Sequence, residues 1–405
     1  MKILHIVGGP STGGAFKGAA ILHDALLELK IDSKILNDMP RGHNENKFQK
    51  KDNKLVLINN SFFNKLINIF FVIIEKFLKV TFLHSPRSTF TFGFLGFDIT
   101  KLQEYKEADL IHIHWLNQGF IGMKSISKMD KPIIWTMRDM WPFTGGAHYT
   151  MDFKKYEKSF LAQIIKRYKK KFFQNNIQFV AISDWLKAKA EKSYVLKGQE
   201  IKRIYNNVNL KDFKNISRSN ARRALQVSTK KIVILYGAQN PQSKRKGWNL
   251  FVQSLKKLDT SKYFLIIFGS FWSHEVLNEI GIEYRSLGFV DDKKKLNKIY
   301  SCADLFVASS IQEAFGKTWL EALACGIPVV CFKRTSISEI IDHKTCGYVV
   351  ENFNSNELKK GIDWLSLEIK KKNFKKKLRN KISKLDAPYI AKKYINLYKS
   401  TLKNK

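Results

Sequence analysis

The sequence predicts an α/β protein built from two doubly wound domains, on three observations. Short apolar, β-rich runs alternate with helix-length segments along the chain. Several of those runs, IVILYG and FLIIFG among them, are apolar almost throughout, as strands covered on both faces are. The alternation restarts after a polar, turn-forming segment at Asn206-Asn207-Val208-Asn209. With 405 residues, 44% of them hydrophobic, the chain can bury two cores and is far from the composition of a disordered protein.

In the first series Ile3–Val7, Leu55–Ile58, Leu110–Trp115, Ile133–Met137 and Phe179–Ile182 read as strands. The opening MKILHIVGG has too short an apolar run, and no small-residue cleavage site, to be a signal peptide. The stretch from Leu66 to Leu83 has the length of a short spanning helix, but Glu75, Lys76 and Lys79 in its second half argue against crossing. Ile67, Phe70, Phe71, Ile74, Phe77 and Leu78 form one helical stripe with Lys65, Lys76 and Lys79 near it. That stripe is expected either to pack on the first sheet or to meet anionic headgroups.

The second series is Ile232–Tyr236, Phe264–Phe268, Tyr284–Val290, Leu305–Ser309, Pro328–Phe332 and Tyr348–Val350, each strand followed by room for a helix. A closing segment, Pro388 to Leu402, sets Ile390, Tyr394, Leu397 and Tyr398 on one face of an amphipathic helix. The expected division is residues 1–207, residues 208–386, and a C-terminal helix over 387–405 that returns to the first domain. In open α/β sheets ligands sit outside the carboxyl ends of the strands, so a cleft between the two domains is the expected site.

Charge and cysteine content narrow the classes. Against 35 Asp+Glu stand 71 Lys+Arg, a formal charge of +36, which suits nucleic acid, an anionic membrane or phosphate ligands. The excess is mostly lysine, whereas base and phosphate readout recruits arginine. The basic tail after Ile369, which includes KKKNFKKKLRNK, lacks interleaved stacking aromatics. Cys302, Cys325, Cys331 and Cys346 lie in apolar stretches with no CxxC pair, so neither a disulfide framework nor a zinc site is expected, and a reducing cytoplasm fits.

The strongest chemical signal is Glu313-Ala-Phe-Gly-Lys-Thr-Trp-Leu-Glu321, followed by Ala322 to Val330. A strand ends before Glu313, Gly316 permits close backbone approach, and a helix is expected from about Lys317 to Cys325. Backbone N–H groups at such a helix start attract a diphosphate, and the two carboxylates beside it suit sugar hydroxyls, which donate to them. The plain alternative is a pair of solvated or dipole-stabilised glutamates. Upstream, Lys244, Arg245 and Lys246 precede Gly247 in a strand-to-helix loop, where a cation can neutralise a departing diphosphate.

Gly8 to Ala15, with Gly13 and Gly14, joins the first strand to the first helix but is not G-x-G-x-x-G. The segment Trp135 to Tyr149 gathers Arg138, Asp139, Gly145, Gly146 and His148 at another strand end. His112 and His114 alternate on one strand face and read as strand-end structure, because no further metal ligands are evident in the sequence.

The spacing E-x7-E with its embedded FG and the following EALACGIPVV resembles the signature of the retaining glycosyltransferases of family 4, over nearly the whole chain. That resemblance implies the GT-B fold, with Glu313 and the Phe315-Gly316 backbone on the donor hexose and phosphate, Lys317 at the same loop, and Glu321 on the ribose hydroxyls. It implies Lys246 as the cation on the diphosphate. Ala238 stands where the family has an arginine, so Lys244 or Arg245 is expected to substitute.

Gly13 and Gly14 resemble the glycine loop that approaches the donor phosphates. Arg138 to Tyr149 resembles the HDMWPFTGGCHY segment of members that build surface polysaccharides, with Arg138 in place of its first histidine and Ala147 in place of its cysteine. Asp139, Arg138 and His148 are carried over as catalytic-segment residues, Arg138 against the donor and His148 toward the acceptor.

The implied activity is metal-independent transfer of a hexose from a nucleotide-diphosphate sugar to a hydroxyl of a bacterial surface glycan, without a cofactor. A UDP-sugar is expected ahead of a GDP-sugar. A lipid-linked acceptor and a peripheral place at the inner face of the cytoplasmic membrane complete the expectation. A sugar-nucleotide epimerase of the same fold and a basic nucleic-acid-binding protein are the competing readings.

Overall fold

The computed structural model describes residues 1–38, 55–58, 62–83, 89–116, 119–173, 177–214, 216–227, 230–271, 273, 275–369 and 374–403. Residues 370–373 of the basic tail lie outside the described residues. The chain forms two compact units, Met1–Asn207 with Ala387–Lys405, and Val208–Asp386.

The first unit holds a seven-stranded sheet of β1 (Lys2–Val7), β2 (Asp32–Asn37), β3 (Leu55–Leu57), β4 (Leu110–Trp115), β5 (Ile133–Met137), β6 (Ile177–Ala181) and β7 (Ile201–Arg203). Every pair is parallel, in the order β3-β2-β1-β4-β5-β6-β7. The order reverses between β1 and β4, and such a switch point opens a crevice at the carboxyl ends of its strands.

Two strands go beyond the sequence expectation. β2 (DSKILN) has polar residues at both ends, and they are satisfied inside the unit: the Ser33 hydroxyl meets His23 Nδ1 at 2.6 Å, and the Asn37 amide donates to the Val7 carbonyl at 2.5 Å. β7 is a three-residue edge strand, too short to register as a pattern.

The second unit has six parallel strands, β8 (Ile232–Gly237), β9 (Tyr263–Phe268), β10 (Tyr284–Ser286), β11 (Leu305–Ala308), β12 (Val329–Phe332) and β13 (Gly347–Val350), in the order β10-β9-β8-β11-β12-β13. β10 stops at Ser286 rather than running to Val290. As an edge strand it has only β9 to pair with, and Gly288 turns the chain at φ 63°.

Six helices matter below, labelled α1 (Gly14–Glu28), α2 (Phe62–Leu83), α3 (Phe160–Phe172), α4 (Trp248–Leu255), α5 (Thr318–Ala324) and α6 (Ala387–Lys403). α6 comes from the end of the chain yet belongs to the first unit. Its Ile390, Ala391, Tyr394, Leu397 and Tyr398 are buried with Ile3, Leu22, Leu26, Leu110 and Ile134. The two tyrosines keep their hydroxyls paired there, Tyr398 with His112 Nδ1 at 2.7 Å and Tyr394 with Thr136 at 2.8 Å, which removes the cost of burying them.

α2 carries a stripe whose phase differs from the sequence reading. Ile67, Phe71, Ile74 and Leu78 are half-buried, and the exposed row is Leu66, Ile69, Phe70, Ile73, Phe77 and Val80. The cause is Glu75: its carboxylate accepts the backbone N–H of Phe92 at 2.9 Å and of Gly93 at 3.2 Å, which fixes the polar side of the helix inward.

Candidate active site

In the second unit the chemistry collects at the carboxyl ends of β8 and β11, the two strands that flank the switch in strand order. The chain leaving β8 makes a short 3₁₀ turn over Lys244–Lys246 and then starts α4 at Gly247, whose φ of 68° suits a residue without a side chain. A Cβ on Gly247 would lie 1.9 Å from the Ser309 carbonyl oxygen, so this loop is pressed against the end of β11. Hydrogen bonds fasten the contact. Ile311 N–H donates to the Arg245 carbonyl at 2.8 Å and the Ser309 hydroxyl to the Lys246 carbonyl at 2.9 Å.

That stitching aims the basic side chains at Glu313. The Lys246 ammonium forms an ion pair with Glu313 Oε2, and the Arg245 guanidinium reaches the same oxygen at 3.5 Å. Burial lowers the Lys246 ammonium from its ordinary pKa, and Glu313 opposes that shift. Two cations thus face one carboxylate. Lys244 is exposed at the mouth of the loop.

The loop after β11 is equally fixed. The Ser336 hydroxyl donates to the Glu313 carbonyl at 2.8 Å, the Trp319 indole donates to the Phe315 carbonyl, and Gly316 turns at φ 82°. Lys317 caps α5, which is seven residues long, shorter at both ends than the expected helix. Glu321 lies in its first turn, buried, and accepts the Tyr300 hydroxyl at 2.8 Å. Tyr300, from the helix Lys293–Cys302, was not singled out by the sequence, because a tyrosine in an amphipathic helix reads as core.

The first unit places its own residues at the carboxyl ends of β1, β4 and β5. After β1, Gly9 takes a φ of 82° and a Cβ there would strike the Trp115 ring, so Gly9 is the glycine this turn requires. Gly13 caps α1 in an extended conformation, and a Cβ on Gly14 would meet nothing within 4 Å. Asp139 and His148 form a buried pair, Oδ2 to Nδ1 at 2.6 Å. The Trp115 indole donates to the same carboxylate oxygen at 2.6 Å, and His148 Nε2 meets the Thr91 hydroxyl at 3.0 Å.

Beside that pair the Trp141–Gly145 turn is held by two groups absent from the sequence reading. Lys169 lies fully buried over the Trp141 ring and donates to the Trp141 and Thr144 carbonyls, while Glu157 accepts the Gly145 N–H. No local pattern marks Lys169, since a lysine on α3 reads as solvated.

Arg138 turns inward, 9% exposed, with Nη1 donating to Asn206 at 2.6 Å and Nη2 paired with His114 Nδ1 at 3.0 Å. Gly18 of α1 leaves room for it, since a Cβ there would be 2.6 Å from Nη1. His112 and His114 share one face of β4, but they are buried in the core and not strand-end groups. A third histidine, His5 of β1, joins them through a 2.8 Å contact with His114. The ligand atoms of the three lie within 4.8 Å of one another, but His112 spends its nitrogens on Tyr398 and Thr136 and His114 on His5 and Arg138. Burial holds all three well below the ordinary histidine pKa, hence neutral, and beside a guanidinium they make a poor home for a metal cation. The four cysteines are buried and free.

Residues 13–212 match the family described as Glycosyltransferase Family 4, and residues 217–382 match Glycosyl transferases group 1. An uncharacterized 41.2 kDa protein in the cps region of Klebsiella pneumoniae is 26% identical over 80% of this chain and 87% of its own. The O-antigen chain mannosyltransferase B of Escherichia coli is 32% identical over 29% of this chain and 32% of its own. Among solved structures, the Anabaena protein Alr3699/HepE in complex with UDP-glucose superposes with a TM-score of 0.69 at 16% identity, covering 99% of this chain and all of that one.

Proposed function

The chain belongs to the family 4 glycosyltransferases, and from that premise we propose that it moves a hexose from a nucleotide-diphosphate sugar to a hydroxyl of a bacterial surface glycan. The observation that carries this reading is the pairing of Lys246 and Arg245, from the loop after β8, with Glu313, from the loop after β11, together with Glu321, held by Tyr300, on the helix that follows Glu313. Lys246 and Arg245 bring the charge that a diphosphate needs as its bond to the sugar breaks, so no metal ion is required for that task. Glu313 accepts from the hexose hydroxyls and Glu321 from the ribose. A UDP-sugar is favoured as donor by the likeness to the UDP-glucose-bound Anabaena protein. A surface glycan is favoured as acceptor by the cps-region and O-antigen relatives, and we take that glycan to be lipid-linked.

The reaction proceeds with retention. The acceptor hydroxyl oxygen bonds to the anomeric carbon from the face that the diphosphate leaves, and a phosphate oxygen takes the hydroxyl proton as the carbon–oxygen bond to phosphate breaks. No protein nucleophile enters. Within the first unit, Gly13 and Gly14 leave the loop between β1 and α1 open, and Asp139 with His148 orders the loop after β5 for an acceptor. Arg138 acts through Asn206 and His114 to hold the end of β5 in place.

A thermal-shift screen of nucleotide diphosphates and their sugars tests the donor assignment. A ligand at 100 times its dissociation constant adds about 2.7 kcal/mol of stability, and UDP should lead the series. Product analysis by NMR, with and without a glycan acceptor, then separates transfer with an α-linked product from an α-linked donor from epimerisation of the donor alone.

A further inference from the structure

Among the described helices α2 is built inside out. Its polar residues Asn68, Glu75 and Lys79 are buried, whereas Leu66, Ile69, Phe70, Ile73, Phe77 and Val80 are 48 to 67% exposed. They recur at intervals of three and four residues, so they form one row along the helix. Monomers scatter single apolar residues over their surface; a continuous apolar row of this length marks a surface that something else covers.

The row does not stand alone. Glu75 anchors α2 to Phe92 and Gly93, and the adjoining Phe94 ring, itself partly exposed, packs edge-on against Tyr168 of α3 at 5.3 Å. The outer face of α3 continues the pattern with exposed Phe160 and Ile164, then turns basic with exposed Arg167, Lys170 and Lys171. Lys65 and Lys76 are exposed on α2 itself. Apolar and cationic groups thus share one side of the first unit, in a chain whose formal charge is +36. That pairing is complementary to an anionic bilayer, in which acyl chains receive the apolar row and headgroup phosphates the cations. A second copy is a poorer occupant, since pairing the same face with itself would oppose like charges.

We propose that α2 is an interfacial helix which lays the first unit on an anionic bilayer, with its exposed row at the boundary between headgroups and acyl chains and the basic end of α3 on the lipid phosphates. No described helix is long and apolar enough to cross a membrane, so α2 lies in the plane of the surface. The proposal needs neither donor nor acceptor, and its failure would leave the donor chemistry untouched.

Flotation of the full chain with vesicles of phosphatidylcholine, alone or with phosphatidylglycerol, is the test. Binding is expected on the anionic vesicles at low salt, with partial release at high salt. The double variant Phe70→Ser, Phe77→Ser should lower the bound fraction at least tenfold, and Arg167→Glu with Lys171→Glu should remove most of the salt dependence. All four positions are exposed, and circular dichroism confirms that each variant is folded. Binding that survives the serine pair unchanged would assign it to bulk charge and overturn the proposal. So would absence of binding to anionic vesicles, or a dimer, seen by light scattering, that the serine pair dissolves.

Discussion

Tyr300 gives Glu321 its orientation, because its hydroxyl is the donor that fixes one carboxylate oxygen in a buried setting. Tyr300→Phe keeps the ring and removes that donor, so nucleotide affinity should fall about five- to tenfold, on the order of 1 kcal/mol, with the fold intact. Lys246→Ala should act differently, lowering kcat by about 100-fold and KM little, because charge on the diphosphate grows only as the glycosidic bond breaks. Steady-state kinetics on the two variants separates binding from turnover.

Glu75 supplies a pH signature. Burial raises its carboxyl from 4.5 to about 7, against the two backbone N–H groups that favour the charged form. A carboxyl raised in the folded state keeps a proton that the unfolded chain has already released, so stability falls as pH climbs from 4.5 to 7. The total loss is on the order of 3 kcal/mol. Glu75→Gln should flatten that decline in urea unfolding measured at pH 5, 6, 7 and 8. An unchanged slope would mean that Glu75 ionises freely, its two N–H partners and water outweighing its burial.

Between elements, the decisive contact is the loop from β8 to α4 against the end of β11. Gly247→Ala would drive a methyl group into the Ser309 carbonyl and strain a left-handed residue, at about 2 kcal/mol or more. It should also pull Lys246 off Glu313, so urea unfolding and nucleotide binding should suffer together. The strands on both sides of this loop were legible in the sequence because both are covered on their two faces and read as apolar runs. The E-x7-E spacing was legible because its residues are local.

What the sequence concealed depends on distance or phase. His5 meets His114 across 109 residues, and only the pairing of β1 with β4 brings them together. β2 was obscured by polar ends that turn out to be satisfied inside the unit. The stripe on α2 was visible as a period of 3.6, but which side faced outward was set by Glu75, whose partners come from residues 92 and 93.

For the molecule as a whole, the last helix is the structural tie of the first unit. Removing residues 387–405 would uncover Ile3, Leu22, Leu26 and Leu110 and strip His112 and Thr136 of their tyrosine partners. Scanning calorimetry of that truncation should show the first unit destabilised, while UDP still raises the melting of residues 208–386. The proposed donor, a nucleotide-diphosphate sugar, binds where Glu321 and Lys246 lie. Calorimetric titration of UDP and UDP-sugars into the intact chain and into Glu321→Ala tests it most directly. Saturable one-to-one binding is expected, weakened in the variant by a factor of about 5 to 150, the equivalent of about 1 to 3 kcal/mol. Equal affinity in the two proteins, or no binding of any nucleotide diphosphate or its sugar, would contradict it.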